Sequence, residues 1–409
     1  MPENWTQHKV ENLIKEKVLV IGDGYRAKNS ELSNDGLPFA RAGNINQGFL
    51  FDGAECLDNS NLAKAKEKIS RNGDVVFTSK GTVGRFAFVK ETTKKFVYSP
   101  QLCYWRVLSP EVIEPRFLYF WMHGQEFSQQ SNGVKGLTDM ADYVSLNNQR
   151  RFEITIPPIE EQRRIAEILS ALDEKIELNL EMNRTLEKIA QATFKHWFVD
   201  FQFPGFDGEL VDVLPKGWKK VRLEDLVDTI SATHKFPNDK IIFLNTSDIS
   251  EGQVLRSDYS DVKTLPGQAK KSIKKNDILY SEIRPINKRF AYIDFDADDY
   301  VVSTKLMVLR AKSSVDSIVL YYFLKSEDII RELQMLAESR SGTFPQITFF
   351  HIKNLEMIVP DDKTLELYTS ILKSNFEKIN SNLRLNQTLT QIRNGLLPKL
   401  MSGKIRVAE

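Results

Sequence analysis

Cysteine is nearly absent from this chain of 409 residues, which has only Cys56 and Cys103. Two cysteines are too few for a disulfide framework, and neither stands near residues at metal-ligand spacing. The five histidines are also scattered without a partner at ligand spacing, so we expect no metal site. Both cysteines are expected to be small buried hydrophobic residues.

Long apolar runs are missing as well. No stretch approaches the length of a membrane span, and the opening MPENWTQHKV lacks the basic and then apolar order of a signal peptide. We therefore expect a cytoplasmic protein. There is no excess of either charge, since the net charge is +1. That balance neither predicts nor excludes a nucleic-acid partner, because acidic surface elsewhere can offset a basic face.

Motifs for catalysis are also lacking. The run TSKGTVG at 78–84 has neither the spacing nor the Lys-Ser/Thr ending of a Walker A loop. TIPP at 155–158 lacks the acidic or amide residue and the aromatic of an amino-methyltransferase motif. Asp277 and Glu282 could form a nuclease carboxylate pair, but the first half has Ser79 in place of Glu282, which favours a structural or surface role. We expect no catalysis by this chain alone.

One long charged helix is predicted over 157–203. Two prolines precede it, Pro204 and Gly205 follow it, and two glutamates lie in its first turn, where the helix dipole favours negative charge. Steps of four and three define a mostly apolar heptad seam with two asparagines at its middle. The seam residues are Ile165, Leu169, Leu172, Ile176, Asn179, Asn183, Leu186, Ala190, Thr193 and Trp197.

The same seam returns in the last 50 residues or so of the chain, where Asn382 and Asn386 match Asn179 and Asn183. Two helices with matched seams bury their apolar stripes best against each other, and buried asparagines would fix their register. The alternative is that each helix lies on its own globular domain. The second seam consists of Tyr368, Leu372, Asn375, Ile379, Asn382, Asn386, Leu389, Arg393, Leu396 and Leu400.

Two globular segments repeat one order of elements. Each opens on a proline shortly before a tryptophan, Trp5 or Trp218, and each has a turn ending in aspartate before a buried strand. A single helix is expected over 114–129 and over 321–336, and each is followed by a loop. The fold class is therefore predicted as α+β, with two duplicated α/β domains separated by a long two-helix coiled coil. The four ranges are 1–156, 157–203, 207–360 and 361–409.

Basic and amide side chains gather in the loops of both segments, beside glycines and hydroxyl groups. Arg and Lys read guanine edges, Gln and Asn read adenine edges, and hydroxyls bind phosphates, so these loops suit DNA binding. The alternatives are an ordinary solvated surface and neutral drift of the loops. The candidates are Lys80, Arg85, Lys135, Thr138, Arg284, Lys288, Arg289, Arg340, Thr343 and Gln346.

The chain as a whole resembles the specificity subunit of a type I restriction-modification system. The resemblance rests on PPIEEQRRI at 157–165, FKHWFVDF at 194–201, the glycine-bearing loop at 78–84 after Gly73-Asp74, and GLLPKLMSG at 395–403. The second half departs from the family pattern. Glu282-Ile283-Arg284 replaces the usual glycine-bearing loop, and Asp361-Asp362-Lys363 replaces the Glu-Glu-Gln entry to the helix.

This resemblance implies that the two globular segments are target recognition domains, each reading one half of a bipartite, asymmetric DNA site, and that the two helices of the long coiled coil between them are antiparallel. Similar proteins have no activity of their own. They recruit two methyltransferase subunits and translocating endonuclease subunits, so adenine methylation or cleavage follows where they bind. No cofactor is expected in this chain, and S-adenosylmethionine, ATP and Mg²⁺ are expected on the partner subunits.

The resemblance also suggests where methyltransferase subunits would dock. The candidates are Arg163 and Arg164 on the helix surface and Trp197 and Phe198 at its aromatic end. The alternatives are helix solvation for the charges and packing against the second domain for Trp197. Three competing classes stay open: a self-contained nuclease or methyltransferase, a stand-alone DNA-binding protein, and a coiled-coil scaffold that binds only protein.

Overall fold

A computed structural model describes residues 2–46, 48–134, 143–340 and 342–407. The chain divides into two compact units, Met1–Leu180 with Leu383–Glu409 (unit 1) and Glu181–Asn382 (unit 2). Each unit combines one sheet-rich globular part with a portion of both long helices. The predicted fold class, two duplicated α/β domains with a two-helix coiled coil, is confirmed. The four predicted domain ranges have their boundaries near the ends of the long helices, and they stay a prediction.

Unit 1 contains ten strands within its described residues. They are β1 (Thr6–Lys9), β2 (Leu19–Asp23), β3 (Leu32–Ser33), β4 (Leu37–Ala40), β5 (Cys56–Leu57), β6 (Val75–Thr78), β7 (Phe86–Phe88), β8 (Val97–Tyr98), β9 (Leu102–Val107) and β10 (Glu153–Ile156). Its helices are α1 (Val10–Lys15), α2 (Pro115–Met122), α3 (Gln125–Val134), α4 (Leu146–Arg150) and α5 (Ile159–Phe194), whose last residues belong to unit 2.

The main sheet of unit 1 has the order β2-β9-β6-β7, with every neighbouring pair antiparallel. β6 reads Val-Val-Phe-Thr and is buried on both faces, as its β-branched and aromatic composition favours. A second sheet has the order β3-β5-β4-β8. One face of the main sheet packs on α2 and α3, and Ile165, Leu169 and Leu400 of the two long helices complete that core.

Unit 2 repeats this plan. Its strands are β11 (Leu210–Val211), β12 (Leu214–Pro215), β13 (Lys219–Arg222), β14 (Val227–Thr229), β15 (Lys240–Leu244), β16 (Ile249–Ser250), β17 (Gln253–Val254), β18 (Ser260–Asp261), β19 (Ala269–Ser272), β20 (Ile278–Ser281), β21 (Phe290–Tyr292), β22 (Tyr300–Ser303), β23 (Leu306–Ala311) and β24 (Glu356–Val359). Its helices are α6 (Leu223–Leu226), α7 (Ser317–Leu324), α8 (Glu327–Arg340), α9 (Phe349–Ile352) and α10 (Asp362–Met401), whose last residues belong to unit 1.

The main sheet of unit 2 has the order β14-β23-β20-β21, which matches β2-β9-β6-β7 strand for strand. The second sheet, β18-β15-β22-β19, contains the parallel pair β15 and β22, as unit 1 contains the parallel pair β4 and β8. Strands β1 and β10 pair in unit 1 as β13 and β24 do in unit 2. The duplication therefore extends to strand order and direction in the main sheets, whereas the second sheets share the parallel pair but differ in its position.

A buried ion pair sits at the same place in both main sheets. In unit 1, Arg106 donates from Nε and Nη2 to the two oxygens of Asp74 at 2.6 and 2.7 Å. In unit 2, Arg310 donates in the same way to Asp277 at 2.7 and 2.8 Å. Both aspartates are fully buried. Two parallel charge-assisted bonds fix geometry as well as distance, so each pair holds the turn before β6 or β20 against β9 or β23.

The start of each long helix is held by a tryptophan from the start of its own unit. Trp5 Nε1 donates to Glu161 Oε2 at 3.0 Å in unit 1, and Trp218 Nε1 donates to Asp361 Oδ2 at 3.1 Å in unit 2. Arg406 adds a bidentate bond to Glu161 at 2.6 and 2.9 Å. Acidic side chains here suit the positive end of the helix dipole.

The long helices pair along the predicted seams. α5 ends at Phe194 and continues as a π-helical turn, Lys195–Val199, so the helical part is shorter than the predicted 157–203. In unit 1, Asn179 Nδ2 donates to Asn386 Oδ1 at 2.7 Å, and in unit 2, Asn382 Nδ2 donates to Asn183 Oδ1 at 2.8 Å. All four asparagines are buried. Because each amide meets another amide, a shift of register would leave buried polar groups unpaired.

The helices expected over 114–129 and 321–336 are each interrupted. α2 and α3 are separated at His123 and Gly124, and α7 and α8 are separated at Lys325 and Ser326. α3 then continues to Val134, where a loop was expected to begin earlier. The break lets two short apolar faces pack on one sheet, which a single straight helix would not. Among the helices that the structure describes, none has an apolar stretch long enough to cross a membrane.

Candidate nucleic-acid interface

The predicted DNA-binding loops of unit 1 lie at one edge of its main sheet. Asp23 at the end of β2 pairs with Cys103, and Thr78 at the end of β6 pairs with Leu102, the next residue along β9. The loops that follow β2 and β6 therefore leave the sheet side by side, next to the turn that joins β8 to β9.

The loop after β6 is pinned by backbone hydrogen bonds. Ser79 N donates to Gln101 O at 2.9 Å, and Val144 N donates to Ser79 O at 2.9 Å. Lys80 forms an isolated antiparallel bridge with Tyr143. Lys80 is exposed, and Tyr143 is 46% exposed. A cation and an aromatic face thus stand on a fixed backbone at this edge.

Arg85 closes the same loop and has a supporting contact. Its Nη1 donates to the carbonyl oxygens of Ala42 and Ile45 at 3.3 and 3.5 Å. The guanidinium therefore ties the β6–β7 loop to the turn after β4, although the side chain stays exposed. An arginine with five donors can hold two carbonyls and still face a phosphate.

Unit 2 builds the corresponding edge with the same backbone bonds. Glu282 N donates to Lys305 O at 3.0 Å, Ile347 N donates to Glu282 O at 2.8 Å, and Ile283 forms a bridge with Gln346. The departure from the family's glycine-bearing loop therefore does not alter the frame. These bonds equate Ser79 with Glu282, Lys80 with Ile283, Gln101 with Lys305, and Tyr143 with Gln346.

Left-handed backbone positions also correspond between the two loops. In unit 1, they are Gly81 with φ 80° and Gly84 with φ 99°, whereas in unit 2, they are Arg284 with φ 44° and Lys288 with φ 53°. A residue with a Cβ atom is strained there by about 1 kcal/mol or more. Strained residues of this kind cluster at functional sites, and here both strained side chains are cations.

The predicted residues of unit 2 differ in how free their charges are. Arg284 is exposed and donates to Thr343 O at 3.4 Å, so the two predicted loops touch. Lys288 instead forms a close ion pair with Glu327 of α8, which neutralises much of its charge. Gln346 Oε1 accepts a bond from Lys305 Nζ at 3.4 Å. Arg289, which corresponds to Arg85, is half-buried.

Three of the predicted DNA-binding side chains lie outside the described part of the chain. Lys135 and Thr138 lie outside the described residues, and the side chain of Arg340 does too, although its backbone ends α8. These three stay predictions.

Arg26 of unit 1 is at the same edge and was missed by sequence reasoning. It follows β2 in a loop that runs against the β8–β9 turn, where a Cβ on Gly24 would lie 2.1 Å from Ser99 O. Glycine is therefore required for this close approach. Beside the loop is an open cleft, which we call the basic cleft, lined by Arg26, Lys64, Lys66 and Lys68 together with Asp23 and Glu67, among others. Lys68 pairs with Asp23 at 2.9 Å and Lys64 pairs with Glu31 at 3.0 Å, so the positive charge of the cleft rests mainly on Arg26 and Lys66. The charge run KAKEK at 64–68 was the available signal.

Lys271 and Lys305 of unit 2 were missed as well. Lys271 Nζ donates to Thr304 O at 3.1 Å and Leu306 O at 2.8 Å. Burial lowers the pKa of Lys271, Glu282 opposes that shift, and Lys305 adds to it. Lys305 Nζ lies 3.8 Å from Glu282 Oε2. The lysine-rich run at 270–275 pointed to this strand, but no short-range pattern marked the turn that carries Lys305.

The predicted docking residues fall into two groups. Arg163 is exposed and donates to Glu160 Oε1 at 2.6 Å, and Arg164 is half-buried; both stay predictions. Trp197 and Phe198 are 8% and 1% exposed, and the Phe198 ring lies 4.8 Å from that of Tyr368 in the core of unit 2. Buried rings offer no surface to a partner, so this part of the prediction is corrected to the packing alternative.

The side chains at both sheet edges are of the kinds that bind DNA. Cations, amides, a carboxylate and an aromatic ring stand on pinned loops, which are the groups that contact DNA phosphates and base edges. Within the described part of the chain, no group of three or more His, Cys, Asp or Glu side chains is arranged to hold a metal ion.

Comparison with known families agrees with this picture. The family model described as "type I restriction modification DNA specificity domain" matches the chain twice, over residues 2–188 and 215–391. The two matches cover most of the chain and one falls on each half. The chain therefore belongs to the type I restriction-modification DNA specificity family.

Similar proteins carry the same description. The specificity subunit of the type I restriction enzyme HindI from Haemophilus influenzae is 44% identical over 183 residues, which cover 44% of this chain and only 39% of that protein. The MjaIX specificity subunit from Methanocaldococcus jannaschii is 27% identical over 361 residues, covering 84% of this chain and 80% of that protein. The crystal structure of a type I S subunit from M. genitalium has a TM-score of 0.61 at 14% identity, covering 97% of this chain and 96% of that one, and so shares the fold.

Proposed function

We propose that this chain reads a bipartite, asymmetric DNA site, with one half contacted by each unit, and that it directs the other subunits of a type I restriction-modification complex to that site. In this role, 1–156 and 207–360 are the two target recognition domains. The chain itself would not be catalytic. Acting on DNA inside the cell, it would work in the cytoplasm.

One observation carries this proposal. Both units present a loop cluster at the same sheet edge, held by the same backbone bonds, and the side chains on the two clusters differ. Neutral drift would not by itself place cations at two strained left-handed positions, as Arg284 and Lys288 are placed. A duplicated frame with different side chains suits a site whose two halves have different sequences.

The contacts can be sorted by type. The exposed cations Lys80 and Arg284 and the basic cleft suit phosphates, which supply most of the affinity and make it salt-dependent. Gln346, Lys305 and Tyr143 stand on the pinned backbone and suit base edges. In this division, the first group positions the protein and the second group supplies specificity.

Partner subunits would supply the chemistry. The exposed face of α5 around Arg163 and Arg164 is the proposed docking surface for two methyltransferase subunits, and endonuclease subunits would join that complex. S-adenosylmethionine, ATP and Mg²⁺ would be bound by those partners.

The direct test is selection from a library of randomised DNA duplexes by the purified full-length chain, alone and co-purified with a co-expressed type I methyltransferase subunit. We expect a split motif with a fixed gap between its halves. Sequencing of methylated adenines in the co-expressing cells should return the same motif. Retention without sequence enrichment would indicate a non-specific DNA-binding protein, and no retention at low salt would favour a scaffold that binds only protein.

A substitution in the basic cleft separates affinity from specificity. Lys66→Gln should weaken the retention of all sequences alike and reduce the slope of log K against log salt by about 1. The matched control is Lys15→Gln. Lys15 lies on α1, which precedes the start of β2, whereas the basic cleft lies beyond the end of β2, so no change in DNA retention is expected. A change of motif in the Lys66 variant would contradict the assignment of this cleft to phosphates.

A further inference from the structure

Four positions have the same backbone bonds in both units and different side chains, and three of them have a polar side chain in both units. These three pairs are Ser79 and Glu282, Gln101 and Lys305, and Tyr143 and Gln346. Each pair lies at the sheet edge that carries the loops of the proposed interface. Exchange of side chains on a fixed backbone is the simplest way for one scaffold to read two sequences.

In unit 2 these side chains form a connected polar group. Lys305 Nζ lies 3.8 Å from Glu282 Oε2 and donates to Gln346 Oε1 at 3.4 Å. The Lys305 side chain is 44% exposed and that of Glu282 is 16% exposed. The carbonyl oxygen of Lys305 also accepts a hydrogen bond from the Glu282 N–H, so the two residues that carry these side chains are hydrogen-bonded through their backbones. A cationic donor and an anionic acceptor thus stand side by side at the edge.

This pair complements one base pair. In the major groove, guanine presents the acceptors O6 and N7, and its paired cytosine presents the N4 amino donor. A lysine donates to the first, and a glutamate accepts from the second. We propose, as an extension that rests on the proposed function, that Lys305 and Glu282 together read a G·C pair in the half-site contacted by unit 2.

Unit 1 lacks this combination at the matching positions. Ser79 is buried, and its hydroxyl donates to Gln101 O at 3.5 Å. Gln101 Oε1 already accepts the Ala42 N–H at 3.0 Å, which engages one lone pair of this neutral amide. Neither position has a charge, so unit 1 offers neither a carboxylate to accept from cytosine nor a cation to donate to guanine there. These positions of unit 1 should therefore not select a G·C pair in the half-site that unit 1 contacts.

The competing explanation is a surface ion pair with no role in recognition. The chain contains a matched example in unit 2, because Lys220 Nζ lies 4.0 Å from Glu356 Oε2 across β13 and β24. Both pairs join an exposed lysine to a glutamate at nearly the same distance, but only the first lies at the interface edge. Lys220→Gln is therefore the control for Lys305→Gln.

The experiment repeats the duplex selection with the full-length wild type, Glu282→Gln, Lys305→Gln and Lys220→Gln. The wild type should enrich a G·C pair at a fixed position of one half-site. Each of the first two variants should lower the preference at that single base pair on the order of tenfold and leave the other half unchanged. Lys220→Gln should return the wild-type motif.

The outcomes separate this inference from the function on which it rests. A wild type that enriches a split motif, with both interface variants returning the same motif, overturns the G·C assignment and leaves the proposed function standing. A wild type that enriches nothing overturns the proposed function and this inference with it. Loss of both halves in a variant that melts at the wild-type temperature would overturn the assignment to one base pair. Because each substitution by itself removes one half of the pair, one folded variant is enough.

Discussion

The β6–β7 loop of unit 1 and the β20–β21 loop of unit 2 have left-handed backbone conformations at the same two positions, but different residue types occupy them. Unit 1 places Gly81 and Gly84 at the left-handed positions, whereas unit 2 places Arg284 and Lys288 there. Away from the edge the units converge, because each keeps a buried Asp–Arg pair and a tryptophan bonded to an acidic residue at a helix start. The comparison teaches that the frame and the contact surface are separable in this fold.

The buried ion pairs should give the largest effect. Asp74→Ala leaves a buried arginine without its partner and should lower the free energy of unfolding of unit 1 by about 3–5 kcal/mol. Asp277→Ala should cost unit 2 less, because the Arg310 side chain is 30% exposed and that of Arg106 is 7% exposed. Native-state hydrogen exchange, followed separately in β6 and β20, measures both. An equal loss in the two units would show that solvent access to the arginine does not matter.

The seam asparagines test whether the two helix contacts are equivalent. Asn179→Ala in unit 1 removes the donor to Asn386 Oδ1, and Asn183→Ala in unit 2 removes the acceptor of Asn382 Nδ2. Each loss leaves a buried polar atom without that bond and should cost about 1–3 kcal/mol in urea unfolding. Replacing both Asn179 and Asn386 by leucine removes the pair without an orphan and should be close to neutral. A double variant as unstable as Asn179→Ala would mean that the loss comes from packing, not from the amide.

Transplanting the unit 2 pair into unit 1 would sharpen the comparison of contact surfaces. Ser79→Glu with Gln101→Lys places a carboxylate and a cation on the matching backbone. If the frame and surface are separable, the half-site of unit 1 should gain a G·C preference on the order of tenfold in duplex selection. The other half provides the internal control and should not change. Loss of folding, detected by circular dichroism, would instead mean that buried Ser79 belongs to the frame.

The acidic residue at the start of α10 should give the smallest effect on stability, and that effect should depend on pH. Burial raises the pKa of Asp361, but hydrogen bonds from Thr364 and Trp218 outweigh burial and hold the pKa below its usual value. A carboxyl whose native pKa is depressed stabilises the fold above its unfolded pKa and loses that contribution as pH falls through the native value. Asp361→Ala should therefore cost about 1 kcal/mol at neutral pH, and this difference should shrink below about pH 4. A difference that stays constant in urea unfolding down to acid pH would exclude the ionised carboxylate as its source.

Sequence patterns predicted those parts of the molecule that depend on local periodicity. The heptad seams predicted the paired helices because burial on a helix repeats at a spacing that one chain segment displays. The repeated order of turns and strands predicted the duplication. The break between α2 and α3 was missed because the apolar pattern continues across His123 and Gly124, and the break depends on packing against the sheet.

The contact surface was harder to predict because its partners are distant in sequence. Lys288 appeared to be a free cation, but Glu327 neutralises it from 39 residues away. Lys305 was overlooked because its relation to Glu282 exists only after two strands pair. Trp197 and Phe198 looked like an exposed aromatic end, and tertiary burial decided otherwise.

The strained loop of unit 2 also has a consequence for directed evolution. Glycine or asparagine at 284 and 288 would relax the left-handed backbone. Libraries randomised at these two positions and enriched for heat resistance alone should therefore converge on those residues, and so on the solution that unit 1 already uses. The same libraries enriched for retention on DNA should return arginine at 284, whose side chain is exposed. Heat resistance and target retention would then favour different residues at position 284, so thermostabilised versions of such a protein should be screened for both.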